Sequence, residues 1–367
     1  MLDACELSPS YIRAIAPYQP GKPTSDLARE MGLQEATIVK LASNENPLGT
    51  SALTHAAISA QLRDLARYPD GNGFDLKQAL CAHYRLRPEQ LVLGSGSNDV
   101  LELVARAFLA AGTSSVYSQH AFVVYPLATQ TVGATAIEVP ASAFGHDLPA
   151  MAAAVREDTR VLWIANPNNP TGTFAPAEQV QALLARVPPR VIVVLDEAYH
   201  EYLPDALRVD SMRWVEQHPN LVVTRTFSKA YGLAGLRVGF ALAHPEICDL
   251  LNRVRLPFNV NSLAQAAAVA ALRDQEFVQR SRRVNDDGMR QLTRGFKRLN
   301  LDYIPSLGNF VTVRVGDAGP VYQRMLRQGV IVRPVGAYGL PEHLRVTVGV
   351  ESENARFLQA LEAALHA

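Results

Sequence analysis

The chain has 367 residues, 48% of them hydrophobic, with 35 basic residues balancing 35 acidic ones. That length and composition can bury a large core with a smaller companion, and the charge balance excludes the basic footprint of a nucleic-acid or membrane-surface binder. Cys5, Cys81 and Cys248 show no C-x-x-C spacing, which argues against a disulfide framework or structural zinc site and fits a reducing compartment, and each thiol is expected buried and inert.

In chain order, the first 40 residues carry Pro9, Pro17, Pro20 and Pro23 and read as an arm that wanders before any regular element. The N-terminus lacks a basic region followed by an apolar run, and no segment reaches about 18 uninterrupted apolar residues, which predicts a soluble cytoplasmic protein. Short apolar runs then recur: QLVLG (90–94), SSVYS (114–118), TAIEV (135–139), RVLWIA (160–165), RVIVVLD (190–196), LVVTRT (221–226) and RVGFALA (237–243). Runs with so few polar interruptions suit strands covered on both faces. Helical patterns at 98–110, 175–187 and 244–254 alternate with them, predicting an α/β fold with a mostly parallel central sheet flanked by helices. After Asn261 come a long helical stretch and then FVTVRV (310–315), GVIVRP (329–334) and HLRVTV (343–348), alternating with helical VYQRMLRQG and the closing ENARFLQALEAALHA. The reading is a large domain at 43–265, a smaller α+β domain at 266–367, and an arm at 1–42 joining the smaller one.

Open parallel sheets bind ligands beyond the carboxyl ends of their strands. GSGSND (94–99) follows the first strand and opens a helix, so its backbone N–H groups and helix dipole suit a phosphate. NPNNPTG (166–172) is a rigid turn that holds the Asn169 amide at a strand end. DEAYHEY (196–202) puts Asp196 at the mouth of a buried strand, where a carboxylate is costly unless it meets a cation, such as a protonated ring nitrogen. Asp196, Glu197, His200 and Glu201 could instead ligate a metal, but their spacing does not match H-E-x-x-H, and no metal is expected. Lys229 follows LVVTRTFS among apolar groups that disfavour its charge, and a neutral amine is what condenses with an aldehyde. Arg237, eight residues on, offers a planar guanidinium for bidentate phosphate contact. Singly, each of these is more often a turn or a surface charge. Together, at one edge of one sheet, they match what pyridoxal phosphate needs: a Schiff-base lysine, an acid for the ring nitrogen, and phosphate donors.

S-K-A-Y-G-L-A-G-L-R, N-P-N-N-P-T-G and D-E-A-Y resemble the pyridoxal-phosphate fold type I aminotransferases, in the same order and at similar separations. Y-I-R-A-I-A-P-Y-Q-P-G-K-P, L-A-S-N-E-N-P-L-G, R-Y-P-D-G, G-V-I-V-R-P-V and H-L-R-V-T-V-G resemble the histidinol-phosphate aminotransferase branch of that family. The resemblance implies that Lys229 forms the imine with the cofactor and moves protons, while Asp196 keeps the pyridine nitrogen protonated. It further implies that Tyr199 and Asn169 hydrogen-bond the phenolic oxygen and that Phe122 stacks on the ring where the family often has tyrosine. Ser97, Asn98, Ser228 and Arg237 would hold the phosphate, with Tyr68 reaching it from the neighbouring subunit of a homodimer. Arg345 would bind the carboxylate of glutamate, and Arg333, Arg345 and Tyr18 are candidates for the substrate phosphate. The implied reaction moves an amino group between L-histidinol phosphate and 2-oxoglutarate. An aromatic (phenylalanine or tyrosine) aminotransferase and a phosphothreonine decarboxylase-like lyase remain alternatives, because both share this architecture. A regulatory ligand-binding module is disfavoured, since no basic helix-turn-helix segment precedes the fold.

Overall fold

The computed structural model describes residues 4–17 and 21–366. Tyr18 therefore lies outside the described residues. Strand β1 (Val39–Lys40) precedes the seven strands of the large sheet, β2 (Leu91–Gly94), β3 (Ser114–Ser118), β4 (Thr135–Val139), β5 (Thr159–Ala165), β6 (Ile192–Asp196), β7 (Leu221–Thr226) and β8 (Gly239–Ala243). Their spatial order is β2-β8-β7-β6-β5-β3-β4. Every pairing is parallel except the two made by β8, which runs antiparallel to both β2 and β7.

Period-two alternation inside the apolar runs builds two separate cores. Leu162 and Ile164 of β5, Val193 and Leu195 of β6, and Leu221 and Val223 of β7 pack into one layer. Their sequence neighbours Val161, Trp163, Val194 and Val222 pack into the layer on the opposite face. Helices Ala177–Arg186 and Ser97–Phe108 supply Val180, Leu183 and Leu184 to the first layer and Val100, Leu101 and Val104 to the second. One strand departs from the expected two-sided cover: β4 is at the sheet edge, and of its five residues only Val139 is buried.

The helical stretch after Asn261 is two helices, Ser262–Arg273 and Gln275–Arg298. Asp274 ends the first and caps the second, its side chain accepting a hydrogen bond from the Phe277 N–H. The second packs with helices Ala318–Arg327 and Glu351–His366 against a four-stranded antiparallel sheet of β9 (Tyr303–Ile304), β10 (Phe310–Arg314), β12 (Arg333–Pro334) and β13 (His343–Thr347). Leu292, Phe296, Val311, Val313, Met325, Val346 and Phe357 form that core.

Three expectations need correcting here. GVIVRP is not one strand: β11 (Val330–Ile331) pairs in parallel with β1, and Val332 then passes the chain to β12 in the other sheet. The arm is also more regular than its prolines suggest. It carries a helix at Thr24–Met31, whose fully buried Leu27 packs against Ala42, Leu326 and Ile331. Of the cysteines, only Cys248 is buried; Cys81 is half-buried and Cys5 exposed, and none forms a disulfide. Among the described residues no helix is long and apolar enough to cross a membrane.

Candidate active site

A cavity of about 260 Å³ opens at the carboxyl ends of the parallel strands. Ala165 ends β5, Asp196 ends β6 and Thr226 ends β7, and all three line it. The small sheet covers the other side with Arg333 and Arg345, and the segment Ala42–Glu45 closes the rim. Of the expected site residues, Ser97, Asn98, Phe122, Asn169, Asp196, Tyr199, Ser228, Lys229, Arg237, Arg333 and Arg345 all line this one cavity.

Asp196 is 4% exposed. Its Oδ1 accepts from Thr224 Oγ1 at 2.9 Å and its Oδ2 from the Tyr125 hydroxyl at 3.0 Å. Thr224 is its register partner on β7, and Tyr125 is held by stacking on Trp163 with ring centroids 5.4 Å apart. Burial pushes Asp196 up to about 6, and the two hydroxyl donors oppose that rise. Among the described residues no lysine, arginine or histidine forms an ion pair with this carboxylate. It is a site prepared for a cation.

Lys229 lies three residues past the end of β7, and its Nζ donates to the Ser43 carbonyl at 3.2 Å. Burial first, then the Arg345 guanidinium, bring it down to about 8. Relative to an ordinary lysine at 10.5, that multiplies the neutral amine at pH 7 about 300-fold. A neutral amine facing a cavity can condense with a carbonyl.

The end of the cavity at Gly96 and Arg237 is built from glycine. Gly96 precedes helix Ser97–Phe108 at φ +82°, and a Cβ there would come within 2.4 Å of Arg237 Nη2. A Cβ on Gly239 would meet the Ser97 N–H nitrogen at 2.5 Å. The missing side chains let a guanidinium and a helix N-terminus lie against each other, a ready anion site. Arg237 also donates to Ser228 Oγ at 3.3 Å, which joins the two expected phosphate ligands.

Tyr199 is 4% exposed, its Oη accepting from Asn44 Nδ2 at 2.9 Å. Arg345 donates to Asn169 Oδ1 at 2.5 Å and to the Ala42 carbonyl at 2.7 Å, and its guanidinium lies 5.3 Å from the Phe310 ring centre. Asn169 is thus tied to the arginine across the cavity. Tyr68 is the exception among the expected residues. It is 82% exposed, stacks on Phe258 and lies away from this cavity within its own chain.

The acidic residues after Asp196 turn elsewhere. Glu197 pairs with the buried Arg225 at 2.7 Å and accepts from Ser211 Oγ at 2.7 Å, while Glu201 stands 3.5 Å from the same guanidinium. Burial alone would raise Glu197, but Arg225 and His200 bring it down to about 2. These carboxylates neutralise a buried cation.

Residues 36–361 match the family described as Aminotransferase class I and II. The chain belongs to the class I and II aminotransferases. It is 60% identical over 365 residues to histidinol-phosphate aminotransferase 2 of Nitrosospira multiformis, covering 99% of this chain and 93% of that one. It is likewise 60% identical over 360 residues to the histidinol-phosphate aminotransferase of Methylobacillus flagellatus, with 98% of each chain covered. A solved structure of histidinol-phosphate aminotransferase from Sinorhizobium meliloti in complex with pyridoxal-5'-phosphate superposes with a TM-score of 0.90 at 29% identity, covering 97% of both chains.

The motifs did not single out Tyr125, Thr224, Asn44 or Thr347. Tyr125 stands three residues after Phe122, its N–H donating to the Phe122 carbonyl at 3.1 Å where the helix Val124–Thr131 begins, and nearness in sequence to Phe122 was its one local signal. Asn44 lies in the LASNENPLG stretch without an assigned role. Thr347 meets it across 303 residues of sequence, a contact no local pattern reveals.

Proposed function

We propose that this aminotransferase transfers the amino group between L-histidinol phosphate and 2-oxoglutarate, giving imidazole acetol phosphate and L-glutamate, with pyridoxal 5'-phosphate as cofactor. The observation that carries the reading is the pairing of a depressed amine, Lys229, with a buried carboxylate that lacks a cation, Asp196, in one cavity. The choice of substrate rests on relatives about 60% identical over nearly the whole chain.

The residues present fit this cofactor. Asp196 would face the ring nitrogen, whose positive charge answers its burial. Phe122 would lie against the ring, and Tyr199 and Asn169 would hydrogen-bond the phenolic oxygen. The N–H groups at Ser97 and Asn98, with Ser228 and Arg237, would hold the phosphate. When bound, the cofactor supplies an aldehyde to condense with amines and an electron-poor ring that stabilises negative charge at the substrate carbon. Lys229 carries the protons: its pKa near 8 lets it act as acceptor and then donor close to neutral pH. Arg345 orients the glutamate carboxylate, and Arg345 and Arg333 receive the histidinol phosphate group, with Tyr18 as a third contact.

Domain limits at 43–265 and 266–367, with the arm at 1–42 joined to the smaller domain, belong to the same reading. So do a cytoplasmic location and a homodimer in which Tyr68 completes the neighbour's phosphate site. The exposed side chains of Leu62, Leu65 and Phe74, close in sequence to Tyr68, with its stacking partner Phe258 and nearby Leu256, support a partner surface there.

Single-turnover reaction of the aminated cofactor form with imidazole acetol phosphate, phenylpyruvate and oxaloacetate tests the substrate. Fast reaction with imidazole acetol phosphate that weakens when its phosphate is removed is the expected result. Preference for phenylpyruvate would assign the chain to aromatic substrates instead.

A further inference from the structure

We propose that Asn44, held by Thr347, is a positioning residue that aims the Tyr199 hydroxyl proton into the cavity. The inference rests on reading the cavity as a pyridoxal-phosphate site. Its basis is a chain of hydrogen bonds whose direction can be deduced. The Asn44 backbone N–H donates to Thr347 Oγ1 at 2.9 Å, and among the described residues the one acceptor for that hydroxyl's own proton is Asn44 Oδ1 at 3.2 Å. The oxygen end of the amide is thereby spoken for, so the end facing Tyr199 is Nδ2, which donates to Oη at 2.9 Å.

A phenol that accepts on one lone pair still has a proton to place. Among the described residues no other group hydrogen-bonds the Tyr199 hydroxyl, and Tyr199 lines the cavity. The proton is therefore offered to whatever acceptor enters, and the anionic ring oxygen of the cofactor is such an acceptor. Asn44 is suited to this post. It is 1% exposed, takes a left-handed backbone (φ 55°) that asparagine tolerates, and has its carbonyl held by Asn309 Nδ2 at 3.0 Å. Thr347 stands two residues beyond Arg345 on β13, on the same face of the strand. One strand of the small sheet thus delivers both the carboxylate-binding arginine and the hydroxyl that orients Asn44. The seating of that sheet decides whether Tyr199 points its proton at the cofactor.

The test titrates the visible absorbance of the pyridoxal phosphate-loaded protein against pH in the wild type, Asn44→Asp, Thr347→Val, Tyr199→Phe and Asn44→Asp/Tyr199→Phe. An aspartate at position 44 accepts the Tyr199 proton and turns it away from the cavity. The anionic ring oxygen loses a donor, so the midpoint moves upward by about one pH unit. Tyr199→Phe moves it in the same direction, the double variant moves it no further, and Thr347→Val, which frees the amide to flip, gives a smaller upward shift. A midpoint unchanged in Asn44→Asp, or shifts that simply add in the double variant, would overturn the proposal. Should Asn44→Asp fail to fold or to load, Thr347→Val decides by the same criterion. A wild-type protein with no visible band would overturn the cofactor reading itself, and this inference with it.

Discussion

Replacing Tyr125 with phenylalanine removes a hydroxyl and one of the two donors to Asp196, and the consequence can be worked out before any cofactor is bound. In the apoprotein, burial lifts Asp196 from 3.8 to about 6. Between about pH 4 and pH 6 the folded chain keeps a proton there that the unfolded chain has released. The stability contributed by this residue therefore falls as pH rises through that window, by about 3 kcal/mol, and is level on either side. A hydrogen bond to a charged acceptor is worth about 1.5–3 kcal/mol, so losing the Tyr125 donor raises Asp196 by a further one to two pH units or so. The upper edge of the window moves to about pH 7–8 and the total fall grows to about 5 kcal/mol. Urea unfolding of the apoprotein from pH 4 to 8, for wild type, Tyr125→Phe, Asp196→Asn and the double variant, isolates the effect. Subtracting the Asp196→Asn curve cancels the other titrating groups. A difference curve flat with pH, or one that ends at the same pH with and without Tyr125, would refute the reasoning. Loading with pyridoxal phosphate supplies the missing cation and should abolish the slope.

Three other outcomes are expected. Gly96→Ala forces a Cβ into the Arg237 guanidinium in a backbone conformation that favours glycine, and should weaken cofactor binding about tenfold or more, read by absorbance titration; unchanged affinity would remove Arg237 from the phosphate site. Arg225→Ala strands Glu197 and Glu201 as buried carboxylates, and should cost about 3–5 kcal/mol in the same unfolding assay, while a variant as stable as its parent would show the network to be unimportant. Mixing inactive Lys229→Ala with a Tyr68 variant should restore turnover, because each hybrid dimer contains one site with both residues intact; no recovery after subunit exchange would place Tyr68 outside the neighbour's site.

The large sheet was legible because its strands are valine- and isoleucine-rich runs buried on both faces, and such runs leave little choice of secondary structure. TAIEV was overestimated because an edge strand uses the same β-branched residues while leaving one side bare. The split of GVIVRP was hidden, since nothing in these six residues says that the strand changes partners after Ile331. At the site, Lys229, Asp196, Asn169 and Arg237 could be found because strand ends gather them and each has a distinctive motif. Tyr125 and Thr224 escaped because a hydroxyl aimed at a buried acid depends on how a helix is rotated and how two strands register. Asn44 and Thr347 escaped because their pairing is purely tertiary. Tyr68 reads as a surface residue in one chain, and a role for it requires a second copy.

The most direct test of the account is borohydride reduction of the pyridoxal phosphate-loaded protein followed by peptide mass mapping. The alternatives are distinguishable, since the remaining lysines are only Lys22, Lys40, Lys77 and Lys297. The cofactor mass is expected on the peptide containing Lys229, and Lys229→Ala should take up none. Stable label on another lysine, or turnover surviving in Lys229→Ala, would contradict it.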